Sequence, residues 1–463
     1  MDKSTKLLGT EPIGRLLWTF SLPAVLAMFV DVVYIVADRM FVARTVGADG
    51  IAAIAVVGPM FSLMIAIQLF LQIGGGSLFS IKLGEKDGKG AQRVFSNTFL
   101  LQLILAGVFV VFGWVFAEPI MLMTGASPAV LPLAKTYLRL ILLASIFNIV
   151  GNGLNGFIFR LGHPKRATFN TAAGAALNIL LSYLFVLVFD WGMFGAGVAT
   201  LIAMALTCTL VFAFLLSPKC TIKLALPRPD LALMALIGKL GLSPFMLHLS
   251  FVLSGFVTNN MLVQYGGDWA LAGFGIMHSI ILFCILPAFG ITGAMQTIAG
   301  YNFGAKNWGR LRSVLRLTLI AVTGWLVLFV VATSVWRAEV MALFGGYYSG
   351  AETLDFAVWA FSVHAPVLPL MATTFVANSY LLSIGSYGRA LALNMSRQMV
   401  FMIPLMIILP RFFGMPGFIY SIPIADVLGA GVAAVLLVYE WRKLNSVLRA
   451  SSGGRKNISA GNR

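Results

Sequence analysis

Long apolar runs, each roughly 20 residues or more and parted by short polar gaps, recur twelve times along the chain. They cover about 15–42, 51–80, 94–117, 132–159, 168–189, 193–216, 240–264, 272–302, 314–336, 353–384, 388–410 and 415–441. Each is long enough to cross a hydrocarbon core of about 30 Å. None alternates polar and apolar positions as a barrel strand does, and an open sheet in lipid would leave backbone groups unpaired, so the runs are predicted to be helices. The expected fold class is an all-α integral membrane protein. The first run is too long for a removed signal peptide and lacks a small-residue cleavage site, so it counts as a span.

The gaps carry a second pattern. Lys82, Lys86, Lys89 and Arg93, then Arg160, Lys165 and Arg166, then Lys219, Lys223, Arg228 and Lys239, then Lys306, Arg310, Arg312 and Arg316 fall in alternate gaps, on the side of Lys3, Lys6, Arg442 and Lys443. The opposite gaps are nearly bare, Arg44, Arg337 and Arg411 being the main exceptions. Cytoplasmic loops retain Lys and Arg, so both termini are expected in the cytoplasm, which requires an even number of crossings.

The chain also repeats itself. Pro23, Asp38-Arg39-Met40-Phe41-Val42 and Leu83-Gly84-Glu85-Lys86-Asp87 return about 220 residues later as Pro244, Asn259-Asn260-Met261-Leu262-Val263 and Phe303-Gly304-Ala305-Lys306-Asn307. Six spans per copy make the copies face the same way, with a pseudo-two-fold axis along the membrane normal. The expected division is an N-terminal lobe over 1–216, a cytoplasmic linker with a short surface helix over 217–239, a C-terminal lobe over 240–442 and a basic, disordered tail over 443–463. One copy keeps a carboxylate at a position where the other has Asn259, as expected for two lobes around a pathway with its ionisable switch in the first.

Composition then narrows the classes. With 59% hydrophobic and 10% charged residues, the chain has too little polar surface to clothe a soluble globule of its 463 residues. A net charge of +16 would suggest nucleic acid in a soluble protein; here the cations sit in the gaps, and topology accounts for them. Cys208, Cys220 and Cys284 have neither disulfide-framework nor metal-knot spacing. His248, His278 and His364 fall on separate helices, and no metal site is expected. No Gly-rich phosphate loop and no nucleophile–base or His-Glu-x-x-His pattern occurs, so neither ATP drive nor an intramembrane enzyme is expected.

A carboxylate inside a membrane is expensive and needs a reason. Asp31, Tyr34 and Asp38 share one helix face. Held away from bulk water, Asp38 could take up and release a proton; near a helix end and followed by Arg39, it could equally be an interfacial charge. Asp31 lies deeper and fits a coupling role or a structural hydrogen bond. Asn148, Asn152 and Asn155 on helix 4, and Asn178 and Ser182 on helix 5, form neutral polar stripes that can coordinate a cation, orient a protonated carboxylate or bond helices together. Arg397 and Asp426 lie about equally far from the loop at Phe412 and Phe413, so they are expected to form a buried pair. Pro23, Pro59, Pro244, Pro287, Pro366, Pro369, Pro404 and Pro423 offer kinks, and Gly74-Gly75-Gly76 offers close backbone approach.

Ala37-Asp38-Arg39-Met40-Phe41-Val42, followed by Val46-Gly47, Ile51-Ala52-Ala53 and Lys82-Leu83-Gly84-Glu85, resembles the first helix pair of the multidrug and toxic compound extrusion (MATE) transporters. Tyr301-Asn302-Phe303-Gly304-Ala305, Ser396-Arg397-Gln398, Ile403-Pro404-Leu405, Phe413-Gly414, Pro423 and Asp426 are similar to the second-half signatures of its prokaryotic DinF-like branch. The resemblance runs from about Gly14 to Arg442. It implies two lobes around a cavity in a prokaryotic cytoplasmic membrane, exporting cationic or amphipathic compounds in exchange for protons or sodium ions. It also implies that Asp38, Tyr34, Asn178 and Thr200 belong to the ion-coupling site. Ser182 departs from the pattern, because many members have an aspartate there. With one carboxylate lost the resemblance favours protons over sodium, since a hard cation prefers several oxygen ligands including carboxylate. No cofactor is expected, and a monomer is. The rival is a flippase for a lipid-linked saccharide, whose cavity needs basic residues where the first lobe offers Asp, Asn and Tyr.

Overall fold

Residues 3–218, 220–224, 228–336, 339–340 and 350–460 are described by the computed structural model, with no account of side chains at 3, 4, 268, 351 and 451–460. Parts of the expected linker (219 and 225–227) and tail (461–463) lie outside the described residues, as does Arg337. Among the described residues every regular element is helical. The spans are α1 (Ile13–Thr45), α2 (Ala48–Gly84), α3 (Gly88–Met123), α4 (Val130–Arg160), α5 (Pro164–Val188), α6 (Gly192–Leu215), α7 (Leu231–Gly267), α8 (Trp269–Gly304), α9 (Trp308–Val335) and α10 (Glu352–Ser383). A last stretch, Tyr387–Ala450, is 64 residues long. At 1.5 Å per residue that is about three core thicknesses, too much for one crossing. Gly414, at φ 61° and ψ −144°, breaks it into α11 (387–413) and α12 (415–460). These twelve crossings make the protein a multi-pass membrane protein.

The helices show why the apolar pattern is nearly featureless around each circumference. On α3, Val108, Val111 and Val115 are exposed, while Ala106, Phe109, Gly113 and Ala117 are buried on the opposite face. Both faces are apolar because one meets lipid and the other meets neighbouring helices. Most helices overrun their apolar runs by several residues at one or both ends, since backbone hydrogen bonding continues into the interface after hydropathy has fallen. The stretch expected to form a separate surface helix is continuous with α7. Asp230 caps its start, accepting from the Leu233 amide at 3.1 Å and pairing with Arg93 at 2.6 Å. The helix likewise continues through 443–460, where composition leads to the expectation of a loose tail.

The chain divides into two units, Met1–Thr10 with Leu22–Leu249, and Glu11–Ser21 with Ser250–Arg463. The internal repeat reappears in each as backbone shape. Gly47 (φ 74°, ψ −151°) ends the α1–α2 turn, and Gly267 (φ 72°, ψ −163°) ends the α7–α8 turn. At the next turn Lys86 (φ 60°) and Lys306 (φ 57°) both take the left-handed conformation. The hydrogen bonds match too: Asp87 N to Lys82 O at 3.0 Å, and Asn307 N to Asn302 O at 2.9 Å.

Inside the first unit the glycine run of α2 has three different neighbours. A Cβ on Gly75 would strike Thr98, one on Gly76 would strike Arg160, and one on Gly74 would lie 2.4 Å from the carbonyl oxygen of Ile237 on α7. Gly241 answers from the other side, its Cβ position being 2.1 Å from Phe70 O. Small residues let the two backbones touch. Gly74→Ala is therefore expected to push α2 and α7 apart and destabilise the protein by about 1–3 kcal/mol, read as a lower unfolding temperature in detergent. An unchanged unfolding temperature would show that the contact yields freely.

Candidate functional site

Three elements of the first unit converge on the polar face of α1. Asp38 is buried, and Ser182, wholly buried on α5, donates its hydroxyl to Asp38 Oδ1 at 2.9 Å. Tyr137 of α4 is buried within electrostatic range of Asp38 and Tyr34. Helical spacing does not single it out, because a tyrosine inside an apolar run carries no period of its own.

One turn deeper lies a small cavity of about 50 Å³, lined among others by Asp31, Tyr34, Asn148, Asn152, Asn178 and Thr200. It has room for a few waters or one ion, whereas a drug-sized ligand needs roughly 300–1,000 Å³. Asn178 donates to Thr200 Oγ1 at 3.4 Å, and Thr200 donates to Ala196 O at 3.0 Å. The side-chain oxygens of Asn148 and Asn178 are buried without a hydrogen-bond partner. An unpaired buried carbonyl is costly, and two of them on residues that line a cavity with a carboxylate suit a cation or a proton donor. Asp38 and Ser182 are not among the lining residues, so the candidate residues form two adjoining groups.

Asn155 belongs to neither group. It donates to Ala167 O at 2.9 Å and Thr171 Oγ1 at 3.2 Å and accepts from Asn170 at 3.0 Å, bonding α4 to α5. The shared face expected for Asn148, Asn152 and Asn155 assumes an unbroken α-helix, but Asn148–Asn152 is a π turn, which changes the phase of the residues after it. Gln72 of α2 donates to the Asn152 carbonyl at 3.1 Å and so satisfies part of the loosened backbone. Tyr183–Val188, directly after Ser182, is a second π turn.

The second unit is neutral where the first is acidic. Asn259 and Asn260 are exposed, and Asn260 bonds only its own helix, through Phe256 O at 2.8 Å. Arg397 donates to Asp426 Oδ1 from Nε at 2.8 Å, and its Nη2 forms an ion-pair contact with the same oxygen at 2.5 Å. His364 of α10 joins this pair, with Nε2 at 3.3 Å from Asp426 Oδ2. No helical spacing signals that contact, since it joins different helices. Among the described residues no group of three or more His, Cys, Asp or Glu could hold a metal ion.

The MatE family pattern matches residues 23–184 and again 244–408, each match opening at the proline that begins a repeat. The chain belongs to the MatE family. Its relatives include the multidrug export protein MepA of Staphylococcus aureus, 26% identical over 440 residues, covering 95% of this chain and 96% of that one. MepA of Staphylococcus saprophyticus is 27% identical over 434 residues, covering 93% and 94%. Among solved structures, an outward-facing multidrug resistance MATE family transporter of the MOP superfamily superposes with a TM-score of 0.89 at 23% identity, covering 97% and 99% of the two chains. A MATE protein in a bent conformation also gives 0.89 at 23% identity, covering 98% and 100%. These structures share the MatE fold. The relatives are transporters rather than enzymes.

Proposed function

We propose that the protein is a proton-coupled antiporter of a prokaryotic cytoplasmic membrane, exporting cationic or amphipathic organic compounds by alternating access, with both termini in the cytoplasm. The multidrug export named for its MatE relatives supports the substrate class. The Ser182–Asp38 hydrogen bond carries the ion assignment. An ionised Asp38 accepts from the Ser182 hydroxyl; once protonated it becomes a donor, and the same hydroxyl can rotate to accept. A neutral, reversible partner suits a proton, which needs only one carboxylate. The changed charge and hydrogen bonding would then shift α1 relative to α5 and favour release of the exported compound. Asn178 and Thr200, next to this face, would reorganise with it. In this reading residues 1–216 and 240–442 act as the two lobes of a monomer.

A sodium-coupled reading draws on the cavity, where Asp31, Tyr34, Thr200 and the unpaired oxygens of Asn148 and Asn178 supply several candidate oxygen ligands. Everted vesicles separate the two. In vesicles acidified inside, an organic cation is expected to release the quenching of a pH-sensitive dye in sodium-free buffer. Release that requires sodium would overturn the proton assignment, and no response to any of a panel of organic cations would overturn efflux itself.

A further inference from the structure

The first unit supplies the carboxylates of the proposed coupling site, but the second unit buries a titratable centre of its own. His364, Arg397 and Asp426 all lie in that unit, each at least nine-tenths buried, on α10, α11 and α12. Arg397 places both its Nε hydrogen bond and its Nη2 ion-pair contact on one oxygen of Asp426. The other oxygen, Oδ2, has no regular hydrogen bond, and His364 Nε2 stands 3.3 Å from it. A structural ion pair needs two charges, and Arg397 with Asp426 already sums to zero. The imidazole is a third group, whose protonation would make the cluster cationic within an apolar bundle, offset in part by the carboxylate oxygen it faces.

The surroundings hold the arginine and leave the imidazole the adjustable member. Gly429 lies against the Arg397 stem, with a Cβ position 2.9 Å from its Cγ. Arg397 Nη1 donates to Gln398 Oε1 at 3.1 Å, and Gln398 donates to Ser254 Oγ on α7 at 2.6 Å. His364, by contrast, ends a regular stretch of α10, and the next turn, Ala365–Leu370, is a 3₁₀ segment containing Pro366 and Pro369. Arg397 is the second residue of the π turn Ser396–Met402. Departures from α geometry on both sides of the contact are where a helix can shift at small cost. Besides Asp426 and Arg397, His278 on α8 is an ionisable group close enough to His364 to interact electrostatically. Ser254 and Gln398 contribute neutral polar groups from α7 and α11.

We propose that His364 is a proton-binding site of the second unit, which alters the Asp426–Arg397–Gln398–Ser254 chain and with it the pH dependence of transport. Its effect on transport rests on the efflux reading above; proton binding itself does not. The test is ¹⁵N-histidine NMR on the purified full-length protein, which has four histidines. The signal missing in His364→Gln, followed across about pH 5 to 8, is expected to respond reversibly to pH in the wild-type protein. That response is expected to change in the paired variant Arg397→Leu/Asp426→Leu, which removes the carboxylate the imidazole faces. In vesicles, His364→Gln, which can donate but not titrate, is expected to flatten the rate–pH profile, while His163→Gln, outside this cluster, keeps it. A His364 signal fixed in one protonation state across that range would reduce the residue to a structural hydrogen bond, and an unaltered profile in His364→Gln would remove it from the pH dependence of transport. Should wild-type vesicles transport nothing, the efflux reading fails and the NMR titration still decides the proton site.

Discussion

Asp38→Asn is expected to leave the protein folded and its coupled export nearly abolished. Asparagine fills the same volume and can still accept from Ser182, whose hydroxyl lies 2.9 Å from the native carboxylate. It cannot bind a proton. A coupling ion drives exchange only by binding one state better than the other, and every tenfold of bias requires about 1.4 kcal/mol of differential binding. With the titrating group gone, that bias vanishes, so substrate-driven proton movement should fall by about tenfold or more. Ser182→Ala removes a hydrogen bond to an ionised group, worth about 1.5–3 kcal/mol, and should shift the pH at which exchange is half-maximal without abolishing it. Ser182→Asp places two carboxylates in one site, so that one of them must stay protonated or share a cation; it is expected to introduce a sodium response. All three are read in the same vesicles, with unfolding temperature as the control for folding. Full exchange by Asp38→Asn would remove Asp38 from the mechanism.

Arg397→Leu is expected to be the most destabilising single change, because it strands Asp426 at 1% exposure opposite an imidazole 3.3 Å away. Breaking one side of a buried pair costs about 3–5 kcal/mol, most of it the penalty for an uncompensated charge rather than the worth of the pair. The double variant Arg397→Leu/Asp426→Leu removes both charges and should recover most of that loss, leaving His364 without its carboxylate. Unfolding followed by the loss of a monodisperse detergent-solubilised peak distinguishes the outcomes. If Arg397→Leu unfolds at the wild-type temperature, the pair contributes little to stability.

Much of the architecture was legible before any coordinates, and for physical reasons. Lipid leaves helices as the simplest way to pair the backbone, so long apolar runs translate directly into spans. The turns at Gly47 and Gly267, and at Lys86 and Lys306, repeat because the same short segments were duplicated with their backbone shapes. Depth within one hairpin is legible as well: Arg397 and Asp426 lie on neighbouring antiparallel helices about equally far from the loop at Phe412 and Phe413, so counting residues bears on their meeting. Counting has nothing to say about His364, which reaches Asp426 from α10. Nor does it anticipate that Asn155 leaves its stripe to bond Asn170, or that Gln72 reaches the carbonyl of Asn152.

By itself, then, the amino-acid order determined the membrane class, the places where the chain crosses, the duplication, and the short list of polar groups able to carry an ion. Tertiary structure alone decided which of those groups meet: Asp38 with Ser182, Asp31 and Tyr34 with the asparagine-lined cavity, and His364 with the Arg397–Asp426 pair. Periodicity specifies a face only while the helix stays regular. The π turns in α4, α5 and α11 and the 3₁₀ turn in α10 each reset that phase, and how each helix is rotated against its neighbours is settled by packing along its whole length.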